Sequence, residues 1–208
     1  WLGVACDQTP SIVSVSLVAW AGLDGVWSSF DGSGATWAAM TMPVGGAFWT
    51  GASVTSSGGL FMACATGQPL YTTTDPTGSS GWTSIGPSLG WIGCQVMGTL
   101  PNVTFIGWTN QEILLSFDGG TTFYTLAHPL VTVKEVCISY DGVRVCALGS
   151  VGVDEVVYPA TCYSQNRGAS WVLRVFLLNQ GMESEALAMS SDGKIQIGGL
   201  DEPDACNT

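Results

Sequence analysis

Apolar and hydroxylated residues alternate along short stretches of this chain, and each stretch follows a turn signal. The longest, Ile12-Val13-Ser14-Val15-Ser16-Leu17-Val18, has the two-residue period of a strand. Thr9-Pro10 precedes a strand-like run at 12–20, Ser57-Gly58-Gly59 one at 60–65, and Pro101-Asn102 one at 103–108. Asp141-Gly142 and Asp192-Gly193 precede runs at 143–148 and 194–197. Turn residues flanked by β-branched and apolar residues predict hairpins.

A second set of turn signals runs out of phase with the first. Its copies are Ser29-Phe30-Asp31-Gly32-Ser33-Gly34-Ala35-Thr36-Trp37, Thr73-Thr74-Asp75 through Gly78 to Trp82, Ser116-Phe117-Asp118-Gly119-Gly120-Thr121-Thr122-Phe123, and Ser164-Gln165-Asn166-Arg167-Gly168-Ala169-Ser170-Trp171. Asp31, Asp75, Asp118 and Asn166 are 44, 43 and 48 residues apart, a period that suits four-stranded blades. In each copy the Asp or Asn side chain accepts from backbone N–H groups two residues on, and glycine supplies a positive φ. Two hairpins per period give four strands. The chain therefore reads as an all-β, β-propeller domain over 1–208, with approximate blades 1–45, 46–88, 89–132, 133–181 and a partial 182–208. In blade four the strands fall near 136–140, from 143, at 161–164 and at 171–176.

The motif resembles the Asp-box, or BNR, repeat of sialidases, sortilin-type receptors and many secreted propellers, roughly Ser-x-Asp-x-Gly-x-Thr-Trp. Copies three and four fit that spacing, with Phe123 for Trp and Asn166 for Asp; copy one carries one extra residue and copy two carries two. The resemblance implies a structural turn at the outer rim, built from Ser29, Asp31, Gly34 and Trp37, Thr73, Asp75, Gly78 and Trp82, Ser116, Asp118, Gly120 and Phe123, and Ser164, Asn166, Gly168 and Trp171. The sialidase activity does not come with it. Such a site needs three arginines on the substrate carboxylate and a tyrosine with an acidic partner, whereas Arg144, Arg167 and Arg174 are the only arginines and all fall in one blade.

Five first hairpins face only four boxes, so the fifth blade holds about two strands. An unfinished blade leaves a row of unpaired N–H and C=O groups. Three completions are open: a polypeptide that continues, a late pairing of the N-terminal strand near residues 2–6, or strands donated by a neighbouring copy.

Composition favours the last of these. Apolar residues make up 46% and charged residues only 10%, against about a quarter charged in typical domains. Partner protomers or glycans are the expected cover for such a surface. No apolar stretch reaches the roughly 18 residues of a membrane span. A net charge of −11 with no basic stripe disfavours nucleic acid and anionic membranes.

Seven cysteines point to an oxidising compartment. A two-residue loop at Asp141-Gly142 pairs Cys137 with Cys146 as a non-hydrogen-bonded pair, where a disulfide can form. Cys64 and Cys94 occupy related positions in adjacent blades, and Cys6 with Cys206 could join the chain ends, leaving Cys162 over. No Cys-x-x-Cys occurs, which disfavours zinc. Asn102-Val103-Thr104 is an N-glycosylation sequon at a predicted hairpin tip.

His128, the single histidine, is a poor basis for triad chemistry. Asp154-Glu155, Glu183 with Glu185, and Asp201-Glu202-Asp204 read as loop acids before they read as a glycosidase pair or a calcium site. The chain is accordingly read as a non-enzymatic, cofactor-free subunit of an extracellular or cell-surface homo-oligomer or filament. The alternative is a secreted lectin-like propeller in which Trp20, Trp27, Trp49, Trp91 and Trp108 stack on sugars. A glycoside hydrolase is the least favoured reading.

Overall fold

A computed structural model describes residues 3–5, 15–18, 25–29, 37–55, 59–75, 77–79, 81–176 and 183–201. Every regular element among them is a strand. The chain divides into two compact units, 1–109 with 114–124, and 110–113 with 125–208.

The first sheet is a meander of β1 (Gly3–Ala5), β2 (Val15–Val18), β3 (Val26–Ser29) and β4 (Ala38–Ala39). The second joins β5 (Trp49–Val54), β6 (Phe61–Thr73) and β7 (Thr83–Gly90). The third orders β8 (Gly93–Thr99), β9 (Asn102–Trp108), β10 (Ile113–Ser116) and β11 (Tyr124–Leu126). In the fourth, β12 (Thr132–Ile138), β13 (Val145–Val153), β14 (Val156–Ser164) and β15 (Val172–Val175) run antiparallel in chain order. The fifth has two described strands, β16 (Glu183–Met189) and β17 (Gln196–Asp201).

Period-two burial explains how neighbouring sheets cohere. Along β6, Phe61, Ala63 and Ala65 join Val26, Met40, Trp49 and Tyr71 in one core cluster. Met62 and Cys64, on the opposite face, join Trp91, Val96 and Phe105 in another. A strand buried on both faces carries a continuous apolar run, and Phe-Met-Ala-Cys-Ala supplies one.

Two local expectations are corrected. The second sheet has three strands where four per blade were expected, because one unbroken strand run, β6, extends past the expected 60–65 to Thr73. Its first half pairs with β5 and its second half with β7. Register shifts flank Gln68, Gly67 takes φ 75°, and the rings of Tyr71 and of Trp49, which pairs with Ala65, lie 5.8 Å apart, closer than six residues of straight strand allow, so the run bends sharply at Gly67. In the fourth sheet the strands are longer than the turn signals suggested. The β13–β14 hairpin closes at Val153↔Val156, with Asp154 at φ 49° and Glu155 at φ 66° as its two tip residues. Positive φ at both positions is the type I′ geometry that matches strand twist.

Candidate functional site: the recurring turns and the fifth sheet

Copy three shows the turn most fully. The Ser116 hydroxyl donates to Asp118 Oδ1 at 2.9 Å and accepts the Gly120 N–H at 3.0 Å. Thr122 donates its N–H to Asp118 Oδ1 at 2.9 Å and its hydroxyl to Oδ2 at 2.5 Å. These donors, those of Thr122 foremost, hold the exposed Asp118 carboxyl down to about 2. Copy four repeats the geometry with an amide: Ser164 donates to Asn166 Oδ1 at 2.9 Å, Ser170 N–H donates to the same oxygen at 2.9 Å, and Asn166 Nδ2 returns a bond to Ser170 Oγ. Copy two absorbs its two extra residues by adding donors, with Thr77 N–H on Asp75 Oδ1 and the Ser79 hydroxyl on Oδ2, each at 2.9 Å. In copy one, Asp31 and Gly34 lie outside the described residues, as does the side chain of Ser29, so that turn is not placed.

The turns do more than close hairpins, since each described copy sits on the sheet before it. A Cβ on Gly78 would meet Thr41 O and Met40 Cβ, one on Gly120 would meet Ile85, and one on Gly168 would meet Leu126. Met40, Ile85 and Leu126 each stand three residues past the preceding box aromatic. The next residue receives the following aromatic. Trp82 Nε1–H donates to Thr41 O at 2.7 Å, and Trp171 Nε1–H donates to Ala127 O at 2.7 Å. Phe123 has no N–H, and its ring instead lies against Gly86, where a Cβ would come within 2.9 Å of it. The recurring turn is therefore, in each described copy, a rivet onto the segment that follows the preceding copy.

Two further turns share this serine–carboxylate chemistry. Ser139 bonds Asp141 and accepts Arg144 N–H, while Val143 N–H donates to Asp141 Oδ1. Ser190 donates to Asp192 Oδ1 at 2.7 Å, with Lys194 N–H on that oxygen and Ile195 N–H on Ser190 Oγ. The donors lower both carboxyls, Asp192 to about 2. Sequence reasoning placed these turns but missed the serines, although Ser-x-Asp-Gly is legible in both. The tips also join: Tyr140 N–H donates to Ser191 O, Arg144 Nη1 to Asp192 O, and Tyr163 to Gly193 O.

All five described cysteines, Cys64, Cys94, Cys137, Cys146 and Cys162, are buried free thiols, so the expected bridges are not formed. Cys137 and Cys146 do face each other across the ladder. Their phase differs from expectation: Ser139 N–H donates to Arg144 O at 2.9 Å, which makes Ser139–Arg144, and by alternation Cys137–Cys146, hydrogen-bonded pairs with the wider spacing. Both thiols turn to the fifth sheet, Cys137 Sγ–H toward Leu187 O at 3.2 Å and Cys146 Sγ–H toward Gln196 Oε1 at 3.5 Å. Burial pushes them up to about 12 and about 11, and Cys162 to about 12. Thiols so protonated are poor nucleophiles. Cys64 and Cys94 share one core cluster without a disulfide between them. Cys6 and Cys206 lie outside the described residues. Glu135, two residues before Cys137, is pushed by burial up to about 7.

The remaining candidates scatter. Trp49, Trp91 and Trp108 are core residues and cannot stack on a sugar from solution; Trp20 lies outside the described residues. His128 is half-buried, its Nε2 lies 3.1 Å from Gln111 O, and desolvation lowers its pKa. Among the described residues no three His, Cys, Asp or Glu side chains converge to hold a metal ion, and no helix is long and apolar enough to cross a membrane. Asn102 is exposed beside the two-residue Leu100-Pro101 tip that joins β8 to β9.

No family model and no curated protein sequence matches the chain. Solved structures do. Hydrazine synthase of Kuenenia stuttgartiensis superposes with a TM-score of 0.63 at 14% identity, over 94% of this chain and 60% of that one. The Cps50 (Swd1) β-propeller domain of Myceliophteria thermophila gives 0.62 at 10% identity, over 95% of this chain and 60% of its own. A GH74 xyloglucanase of Xanthomonas campestris gives 0.63 at 13% identity, over 98% of this chain and 35% of the enzyme. The chain thus spans less than two thirds of each of these proteins, and at such identities the likeness speaks for fold alone: this is a β-propeller fold whose fifth blade has two described strands.

Proposed function

We propose that the chain is a non-enzymatic Asp-box propeller that serves as a structural subunit of an extracellular or cell-surface assembly, with another polypeptide completing it at the fifth blade. One observation carries this reading: β17 has a partner strand, β16, on one side only among the described residues, beside the exposed Ile195 and Ile197. Gln196 turns toward Cys146 and the fourth sheet, so Ile197, its neighbour in the strand, faces the other way. An open edge and a bare apolar face together invite a further β element.

The acidic residues fit a structural role. Asp75, Asp118, Asp141 and Asp192 spend their oxygens on the N–H and hydroxyl groups of their own turns. The exposed sequon at Asn102 suits a glycan in a secretory compartment. Homo-oligomeric or filamentous growth is the form of assembly we favour, because a surface poor in charge needs cover.

Sedimentation velocity across a hundredfold range of concentration tests the proposal. Growth into discrete or open multimers, abolished by Ile197→Asp, supports it; a single monomeric species throughout overturns it.

A further inference from the structure

The fourth and fifth sheets meet over two thiols. Cys137 pairs with Cys146, and Cys146 with Tyr163, so the three side chains share one face of the fourth sheet. That face is turned to the fifth sheet: Tyr163 reaches Gly193 O, Cys137 Sγ–H donates to Leu187 O at 3.2 Å, and Cys146 Sγ–H donates to Gln196 Oε1 at 3.5 Å. Cys162 pairs with Ala147 and so lies on the opposite face. Ser190 N–H donates to Ile195 O, and Leu187 pairs with Gly198 three steps further along the ladder. Alternation therefore points Leu187 O away from β17, leaving it to the thiol of Cys137.

The same two sulfurs are set to join. Cα atoms of a hydrogen-bonded cross-strand pair stand about 5.5 Å apart, within the span that a disulfide bridges. Their Cβ atoms stand at the wide end for such a bond, so closing it draws the two strands together, and a bridge under that constraint is readily reduced again.

We propose that Cys137 and Cys146 are a reversible redox site, and that their closure to a cross-strand disulfide unlatches the fifth sheet from the fourth. The oxidant is a small disulfide such as glutathione disulfide. One cysteine, as its thiolate, attacks a sulfur of the oxidant and expels one glutathione thiolate; the other cysteine attacks the mixed disulfide and expels the second. The two thiol protons leave with the two glutathione thiolates, and the electron pair goes to the oxidant. Burial decides when this happens. Cys137 is 8% and Cys146 1% exposed, so the reaction requires β16 and β17 to lift from the face. The finished bridge carries no S–H, so Leu187 O and Gln196 Oε1 lose these donors and the lifted state gains population. The bonds of Tyr140 and Arg144 to Ser191 and Asp192 involve no sulfur, so the tips stay joined as the hinge. The site works in this way whether or not the chain assembles.

The test incubates the full chain with glutathione disulfide, maps bridges by tryptic digestion without reductant, and reads amide exchange along β16 and β17. Cleavage after Arg144 leaves Cys137 and Cys146 on separate peptides unless they are bridged. The expected result is a 137–146 linkage with exchange at 187–189 and 196–198 about tenfold faster, the size of one lost hydrogen bond, and both effects reversed by dithiothreitol. Cys137→Ser keeps a donor for Leu187 O and cannot bridge, so its exchange should ignore the oxidant, and Cys146→Ala should ignore it as well. Absence of the 137–146 linkage overturns the inference, as does a linkage that leaves exchange unchanged. Equal acceleration by oxidant in the two single variants also overturns it, because the effect would then arise elsewhere in the chain.

Discussion

β6 and β17 are both the second described strand of their sheets, yet the two live in opposite environments. β6 is buried on both faces, with Phe61 and Ala63 in one cluster and Met62 and Cys64 in the other. The described residues of β17 are exposed, Ile197 at 67%. The sequences agree with this, since β6 opens with the continuous apolar run Phe-Met-Ala-Cys-Ala and β17 reads Gln-Ile-Gly-Gly-Leu-Asp. What differs is whether a sheet lies on each side. In this fold the burial of a strand depends on the sheets packed against its two faces.

The most damaging substitution should therefore fall on β6. Phe61→Ala removes a ring that is 2% exposed and leaves a cavity between two sheets, costing about 3–5 kcal/mol; chemical denaturation should show a lower midpoint with an unchanged slope. A loss under about 1 kcal/mol would mean that the two faces of β6 are not tightly covered.

Next in size is the inner half of the fourth sheet, which the fifth does cover. Burial raises Glu135 to about 7 from an ordinary 4.5. A raised carboxyl contributes stability below its unfolded value and loses it as pH rises through its folded one, so stability should fall between about pH 4.5 and 7 by on the order of 2–3 kcal/mol. Glu135→Gln should remove that slope in denaturation midpoints taken at pH 5 and pH 8. The turn carboxylates run the other way. Asp118 and Asp192, lowered to about 2, stabilise above about 4 and lose that contribution as pH falls toward 2, a trend the Gln variant should retain.

The fold was legible because its signals are local and repeated. Asp118 and Asn166 could be placed in turns from the Ser, Gly and Thr around them, and the Cys137–Cys146 register followed from counting out from Asp141-Gly142. The phase of that pair was not legible: it depends on Ser139 accepting Arg144 N–H with its hydroxyl, which widens the turn by one pair and makes Cys137–Cys146 a hydrogen-bonded pair. Nor was the extent of β6 legible, since the apolar run ends at Ala65 while the strand goes on to Thr73. The rivet itself was hidden because it joins residues far apart in sequence, 41 for Trp82 with Thr41 and 44 for Trp171 with Ala127. Its one trace is the apolar residue three past each of the first three aromatics, Met40, Ile85 and Leu126, visible only once the seat is known.

The rivet gives the third prediction. Gly168 takes φ 81° and a Cβ there would come within 2.8 Å of Leu126, so Gly168→Ala combines backbone strain with a crowded seat and should cost about 1–3 kcal/mol. Removing only the indole bond is milder. Trp171→Phe keeps a ring but forfeits the 2.7 Å bond to Ala127 O, for a loss of about 1 kcal/mol. Combining it with Ala127→Gly copies the Phe123–Gly86 arrangement. Recovery of part of the loss in a double-mutant cycle would establish the two seats as alternative solutions of one problem; strict additivity would mean that Phe123 is held by something else.

The smallest effect on folding separates the two strands most sharply. Ile197→Ser changes an exposed side chain on the side of β17 that faces away from the fourth sheet, and its cost to the monomer should stay within about 0.5 kcal/mol. An equivalent apolar-to-polar change on β6 would bury an unsatisfied hydroxyl and cost several times more. If the exposed face exists to receive a partner, the same variant should still weaken association in sedimentation at concentrations where the parent chain grows. A residue that matters little to its own fold and strongly to association is one whose neighbour lies on another molecule, whereas a large folding penalty for Ile197→Ser would mean that this face is already covered from within the chain.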